Sequence, residues 1–165
     1  GDLLAATGPM GEAKAALEIL MTKNPAEMQE YAALTENFWR PVPQLKAGRI
    51  LAENGLAAAM LDNSDGLYKS AAIIAGRSGI KAVIDAAAVR PSEILSKWCA
   101  ANGKNAAAYA IDGGEDYGLV FALRPEKSAL LRKILPQAQI IGRFTQGSGT
   151  ELINFDGKID GFEHF

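Results

Sequence analysis

A polar segment of five residues, 62–66, separates a short apolar run from a helical pattern, and this change of pattern constrains the fold more than any other feature of the chain. Residues 57–61, before the segment, are all apolar and predict a short buried strand. Residues 67–78, after it, carry apolar side chains at helical spacing and end at Gly79, a favourable residue for the end of a helix. In α/β proteins, ligands tend to bind where a strand passes into a helix in this way.

Helical and strand patterns alternate along the whole chain. Besides residues 67–78, we predict helices at 12–21, 26–37, 44–53, 91–101 and 126–135. Besides residues 57–61, we predict strands at 3–6, 80–85, 107–111, 117–123, 139–144 and 151–155. Because helices and strands interleave, we expect an α/β or α+β fold in which a mixed β-sheet packs with helices.

The composition argues against several classes of protein. The chain of 165 residues has room for one domain with a proper core, and no segment approaches the roughly 18 unbroken apolar residues that a membrane span needs. The net charge is -2 with acidic and basic residues interspersed, so no basic stripe indicates nucleic-acid binding. The single cysteine, Cys99, excludes an internal disulfide framework and fits a reducing cytoplasm.

The polar segment 62–66 has two compatible interpretations. Ser64 or Asp65 can cap the following helix, a contribution of about 1 kcal/mol. Alternatively, Asp62 at the end of the strand and Asp65 three residues later form a negative cluster that a metal ion would neutralise. Carboxylate oxygens suit Mg²⁺, and the start of a helix favours phosphate.

A second cluster of carboxylates lies at residues 112–117, with the sequence Asp-Gly-Gly-Glu-Asp-Tyr. The two glycines allow unusual backbone conformations or the close approach of a ligand. The cluster is either a solvated hairpin loop or a site that binds a metal or a cationic group. Residues 7–11 lack the lysine of a phosphate-binding loop and predict a tight turn instead. The only histidine, His164, lies next to the end of the sequence, which argues against a histidine-based triad or zinc site.

The order of the motifs is more specific than any one of them. They are Thr7-Gly8-Pro9-Met10-Gly11, Arg40-Pro41-Val42-Pro43, Asp62-Asn63-Ser64-Asp65-Gly66-Leu67, Gly113-Gly114-Glu115-Asp116-Tyr117, Ile141-Gly142-Arg143 and Gly161-Phe162-Glu163-His164-Phe165. In this order they closely resemble the carboxyl-terminal half of the thiamine-monophosphate kinase family. That family belongs to the superfamily of aminoimidazole ribonucleotide synthetase, selenophosphate synthetase and a hydrogenase-maturation protein.

The resemblance implies an activity and a set of site residues. The family uses ATP as co-substrate and Mg²⁺ to phosphorylate thiamine monophosphate to thiamine diphosphate by direct transfer. By position, Asp62 and Asp65 match Mg²⁺ ligands, and Ser64 matches a residue that contacts ATP. Glu115 matches a carboxylate that contacts the substrate, and Phe162 matches an aromatic residue that packs on it.

The resemblance also implies how the whole protein is organised. Gly1-Asp2 leads directly into a strand pattern without an initiator methionine, so we expect the chain to begin partway through a longer protein. The family's amino-terminal domain, absent from this chain, supplies most metal ligands and the main homodimer interface. We therefore expect the chain to lack kinase activity by itself. Two alternatives stay open: another ATP-dependent member of the superfamily, and a non-catalytic module that binds a phosphorylated ligand or serves in assembly.

Overall fold

A six-stranded sheet organises the chain in the computed structural model, which describes residues 1–157. Its strands are β1 (Leu3–Thr7), β2 (Ala57–Asp62), β3 (Lys81–Asp85), β4 (Leu119–Leu123), β5 (Gln139–Thr145) and β6 (Thr150–Ile153). The α-helices of the described part are α1 (Glu12–Thr22), α2 (Pro25–Glu30), α3 (Ala32–Trp39), α4 (Leu45–Glu53), α5 (Leu67–Ser78), α6 (Glu93–Ala101), α7 (Ala106–Asp112) and α8 (Ser128–Ile134). The expected mixed sheet packed with helices is confirmed.

The strands follow the order β2-β4-β1-β5-β3-β6, and the pairing is antiparallel except between β3 and β6. β4 lies between β1 and β2, and its residue Leu119 pairs with Thr7 on one side and Asp62 on the other. The last residues of β1 and β2 and the first residue of β4 therefore lie at the same end of the sheet. The loops that leave or enter these strands must meet there.

Helices cover both faces of the sheet because its side chains alternate in direction. Leu4 and Ala6 of β1 pack on one face with α5, whereas Ala5 packs on the other face with residues of α4 and α8. A further apolar cluster joins α1, α3, α6 and α7 beside the sheet. Within residues 1–157, no helix is both long enough and apolar enough to cross a membrane.

Three sequence predictions were wrong in detail. Residues 57–61 form a partly exposed strand at the edge of the sheet rather than a buried one. Residues 107–111 form helix α7 rather than a strand, because the Asn105 side chain accepts a hydrogen bond from the Ala108 N–H and three alanines follow the cap. Alanine has the highest helix propensity, which the short apolar run concealed. The helix predicted at 26–37 is interrupted at Tyr31, which is buried against the cluster beside the sheet.

Candidate functional site

Two of the loops singled out in the sequence are hydrogen-bonded to each other at the end of the sheet where β1, β2 and β4 meet. The Asn63 N–H donates to the Gly118 carbonyl at 2.9 Å, and the Glu115 N–H donates to the Ser64 carbonyl at 2.7 Å. Gly66 packs so closely on the second loop that a Cβ there would lie 3.0 Å from the Asp112 carbonyl oxygen. The structure thus brings the segment 62–66 and the segment 112–118 into one site.

The structure does not support a capping role for Ser64 or Asp65. The N-cap of α5 is Gly66, at φ 93°, which has no side chain to accept a hydrogen bond. The Asp65 carboxylate accepts a hydrogen bond from Lys69 one turn later, at 3.3 Å. Asp62 is exposed at the end of β2, and Ser64 is half-buried. The capping interpretation was therefore wrong, and the hydroxyl and carboxylates are not used to start the helix.

The backbone of the second loop is held in an uncommon conformation. Glu115 and Tyr117 have φ values of 63° and 50°, in the left-handed region that side chains other than glycine rarely adopt. Each such residue costs on the order of 1 kcal/mol or more, so surrounding contacts must hold the loop in place. The Tyr117 hydroxyl donates to the Glu115 carboxylate at 2.7 Å, which directs the two side chains toward each other.

Asp116 is the residue that holds this loop. Its buried carboxylate accepts hydrogen bonds from the Gly11 N–H at 2.5 Å and the Ala13 N–H at 3.0 Å. These N–H groups belong to the start of α1, whose N-cap, Gly11, has no side chain of its own. Burial raises the pKa of Asp116 to about 7, although the two backbone donors lower it, and the nearby Glu12 raises it further. Asp116 therefore caps α1 and fixes the position of Glu115 at the same time.

Glu115 lines a cavity of about 380 Å³, here called the Glu115 cavity. One wall is formed by the turn after β1 and the start of α1, including Pro9 and Glu12. The rest of the lining includes the end of α3 and the extended segment that contains Pro41 and Val42. The volume lies at the lower end of the range for small-molecule sites, about 300–1,000 Å³.

A second, more open groove of about 610 Å³ is lined in part by Tyr117 of the same loop. It is lined mainly by apolar side chains, among them Leu45, Met60 and Tyr117, and it also includes Asp62. Pro41 and Gln44 border both spaces. The loop 112–118 thus contributes to both a cavity with several carboxylates and an apolar groove that includes the β2 carboxylate.

The residues present fit only part of a Mg²⁺ site. Asp62 and Asp65 offer the hard carboxylate oxygens that Mg²⁺ prefers. Within residues 1–157, however, no three His, Cys, Asp or Glu side chains come together as a metal-binding group. Mg²⁺ usually keeps several waters and binds substrate phosphates beside one or two carboxylates, so the two aspartates would need such additional ligands. Phe162, the aromatic residue expected at the substrate, lies outside the described residues.

Three residues of the site were not predicted individually: Asp116, Glu12 and Asn37. In the sequence, Asp116 is recognisable only as one of three clustered carboxylates. A sequence signal for its role does exist, because the turn before α1 supplies only Met10 and Gly11 where a capping side chain is expected. No comparable signal marks Glu12 and Asn37, which reach the Glu115 cavity from separate helices.

Comparisons with known proteins agree with this architecture. Residues 1–154 match the family model described as AIR synthase related protein, C-terminal domain. A curated relative, the thiamine-monophosphate kinase of Aquifex aeolicus (strain VF5), is 32% identical over 169 residues, covering 100% of this chain and 52% of the relative. The chain thus spans about half the length of the curated relatives it matches.

Two solved structures illustrate the range of structural similarity. The structure described as "AaThiL complexed with AMPPCP and TMP" superposes with a TM-score of 0.83 at 31% identity, covering 100% of this chain and 52% of that chain. The hydrogenase maturation protein HypE of E. coli gives a TM-score of 0.65 at 17% identity, covering 99% of this chain and 49% of that chain. The second similarity shows a shared fold only.

Proposed function

The chain belongs to the family of AIR synthase related proteins, of which it forms the C-terminal domain, and we propose that it is the carboxyl-terminal part of a thiamine-monophosphate kinase. The proposed reaction transfers the γ-phosphoryl group of ATP to thiamine monophosphate, which yields thiamine diphosphate and ADP. Support comes from relatives that are thiamine-monophosphate kinases and from a similar structure, that of AaThiL complexed with AMPPCP and TMP.

The observation that carries the proposal is the pair of hydrogen bonds between segment 62–66 and segment 112–118. One segment carries the residues proposed for ATP and metal, and the other carries Glu115, proposed for the substrate. The bond of 2.7 Å from the Glu115 N–H to the Ser64 carbonyl keeps the two sets of groups adjacent. Direct transfer between two bound substrates depends mainly on such positioning.

We assign roles to the residues on this basis. Asp62 and Asp65 would hold Mg²⁺ together with phosphate oxygens, and Ser64 would contact ATP. When bound, Mg²⁺ neutralises part of the phosphate charge. Glu115 would contact thiamine monophosphate, whose aminopyrimidine and positively charged thiazolium both suit a carboxylate. Phe162 is assigned to the substrate on the resemblance alone, since an aromatic ring face suits a cation.

We further propose that an amino-terminal domain completes the site and that the whole protein is a cytoplasmic homodimer. The relatives are about twice as long as this chain, and the described residues provide too few carboxylates for a full metal site. No feature of the described residues favours an assembly module, and similarity to HypE at 17% identity does not favour the hydrogenase-maturation reaction.

Calorimetric titration of the 165-residue chain tests the substrate assignment. We expect thiamine monophosphate to bind, and we expect Glu115→Gln to weaken binding about tenfold, the loss of one hydrogen bond to a charged group. Glu126→Gln should leave the affinity unchanged, because Glu126 is exposed and follows the end of β4 that lies away from the site. Tighter binding of an aminoimidazole ribonucleotide than of thiamine monophosphate would contradict the proposal and favour another member of the superfamily.

A further inference from the structure

We infer that Glu12 and Asn37 form a specificity element in the Glu115 cavity that recognises the aminopyrimidine ring of the substrate. This inference rests on the proposed function, which it deepens by assigning the two ends of the substrate to different parts of the site. Neither residue belongs to the motifs that carry the family resemblance.

Glu12 and Asn37 are joined to each other at the wall of the cavity. The Asn37 Nδ2 donates to the Glu12 Oε2 at 2.9 Å, which connects the first turn of α1 with the last turn of α3. Glu12 is only 7% exposed, yet it lines the cavity, so its remaining exposure faces that space. A buried carboxylate with one directed hydrogen bond has a fixed orientation, and its second oxygen can accept a bond from a ligand.

The charge of the cavity decides which part of the substrate it can take. Three carboxylates line it, those of Glu12, Glu115 and Asp116, and among the described residues that line it none is basic. A phosphate group would be repelled there. A neutral or cationic heterocycle with N–H donors would be favoured. The phosphate end of thiamine monophosphate must therefore extend toward segment 62–66 and the start of α5.

The chemistry of an aminopyrimidine matches the remaining features of this wall. Its exocyclic amine can donate a hydrogen bond to the Glu12 carboxylate. Its ring nitrogen can accept a hydrogen bond from the second N–H of the Asn37 side-chain amide. Pro9, Pro41 and Val42 supply apolar surface for the faces of a flat ring. All the groups that the inference needs belong to this chain, so recognition of the ring does not depend on a companion domain.

The test is a titration of the isotope-labelled chain, followed by NMR, with thiamine monophosphate and with its analogue that carries an oxo group in place of the amine. We expect the wild-type chain to bind thiamine monophosphate at least about tenfold more tightly than the oxo analogue, and the Asn37 side-chain amide resonances to shift. Glu12→Gln should abolish most of this preference. Asn37→Ala, at an exposed position, should reduce it as well.

Glu36→Gln is the matched control, because Glu36 is an exposed carboxylate next to Asn37 that pairs with Arg40 and lies outside the cavity. It should behave as wild type. Binding of thiamine monophosphate with unchanged preference in both Glu12→Gln and Asn37→Ala would overturn the inference and leave the proposed function intact. Absence of any thiamine monophosphate binding by the wild-type chain would also overturn the inference, because every group that it needs belongs to this chain; the proposed function is tested separately, by phosphoryl transfer in the completed protein.

Discussion

Asp116 connects two parts of the site through one side chain. Its carboxylate caps α1, and its neighbours on either side, Glu115 and Tyr117, have left-handed backbone conformations. The hydrogen bonds to Gly11 and Ala13 span more than 100 residues of sequence. Asp116 is therefore a positioning residue: it holds the backbone conformation of Glu115.

Replacing Asp116 should destabilise the fold. Asp116→Ala leaves the buried Gly11 and Ala13 N–H groups without an acceptor, and we expect a loss of about 2–4 kcal/mol in the free energy of unfolding, measured with urea. Asp156→Ala, at an exposed carboxylate, should cost less than about 0.5 kcal/mol. Equal losses in the free energy of unfolding of Asp116→Ala and Asp156→Ala would show that the Asp116 cap on α1 does not stabilise the fold.

The raised pKa of Asp116 predicts a pH dependence of stability. The native pKa of about 7 lies above the ordinary value of 3.8, so the native state binds the proton more tightly than the unfolded chain. The stability that Asp116 contributes is therefore fully present below about pH 4 and is lost as the pH rises through about 7. We expect the stability of the wild type, relative to that of Asp116→Asn, to fall between pH 5 and pH 8. A relative stability that rises over this range would contradict the raised pKa.

Asn63 is a buried residue that weakens the fold. It is 1% exposed, and both polar atoms of its side chain lack a hydrogen-bond partner among the described residues. Asn63→Leu should therefore raise the free energy of unfolding by about 1 kcal/mol or more. Asn102→Leu is the control, because the Asn102 side chain donates a hydrogen bond to the Trp98 carbonyl at 3.0 Å. Replacing Asn102 should therefore not raise the free energy of unfolding. A similar loss in the free energy of unfolding of both variants would mean that the Asn63 side chain has hydrogen-bond partners in solution.

Gly11 allows the start of α1 to approach helix α7 closely. It has φ 79°, and a Cβ at this position would overlap the carbonyl group of Tyr109 in α7. Gly103, at the end of α6, has a similar φ of 65° but open space where a Cβ would lie. Gly11→Ala should lower the free energy of unfolding by at least about 2 kcal/mol more than Gly103→Ala, since only the first adds a clash to the backbone strain. Thermal or urea unfolding of both variants decides this, and equal losses would contradict the close approach.

Local patterns predicted most elements but not how they meet. The strand–turn–helix at 57–78 was recognisable because its apolar spacing changes sharply at Asp62. Residues 107–111 were assigned wrongly because a short alanine-rich run has no distinctive period. The lack of a capping side chain before α1 indicates that the helix needs an acceptor from elsewhere. Nothing in the sequence identifies Asp116 as that acceptor, because a distant loop leaves no periodic signal near the helix.

At the scale of the whole molecule, sheet order explains why distant motifs form one site. β1 and β2 both pair with β4, so the loops that follow Thr7 and Asp62 and the loop that precedes Leu119 lie at one end of the sheet. The sequence supplied the motifs and their order. Only the pairing of strands shows that the Glu115 cavity and segment 62–66 are neighbours, and the described residues still provide only part of a metal site.

The most direct test of the central claim is a phosphoryl-transfer assay on a chimera in which this chain replaces the matching half of the Aquifex aeolicus thiamine-monophosphate kinase. We expect the folded chimera to convert ATP and thiamine monophosphate to thiamine diphosphate. The 165-residue chain alone should form none, because its described residues provide only part of a metal site. Glu115→Gln in the chimera should lower kcat/KM at least about tenfold. A folded chimera that binds ATP but forms no thiamine diphosphate would contradict the proposed function.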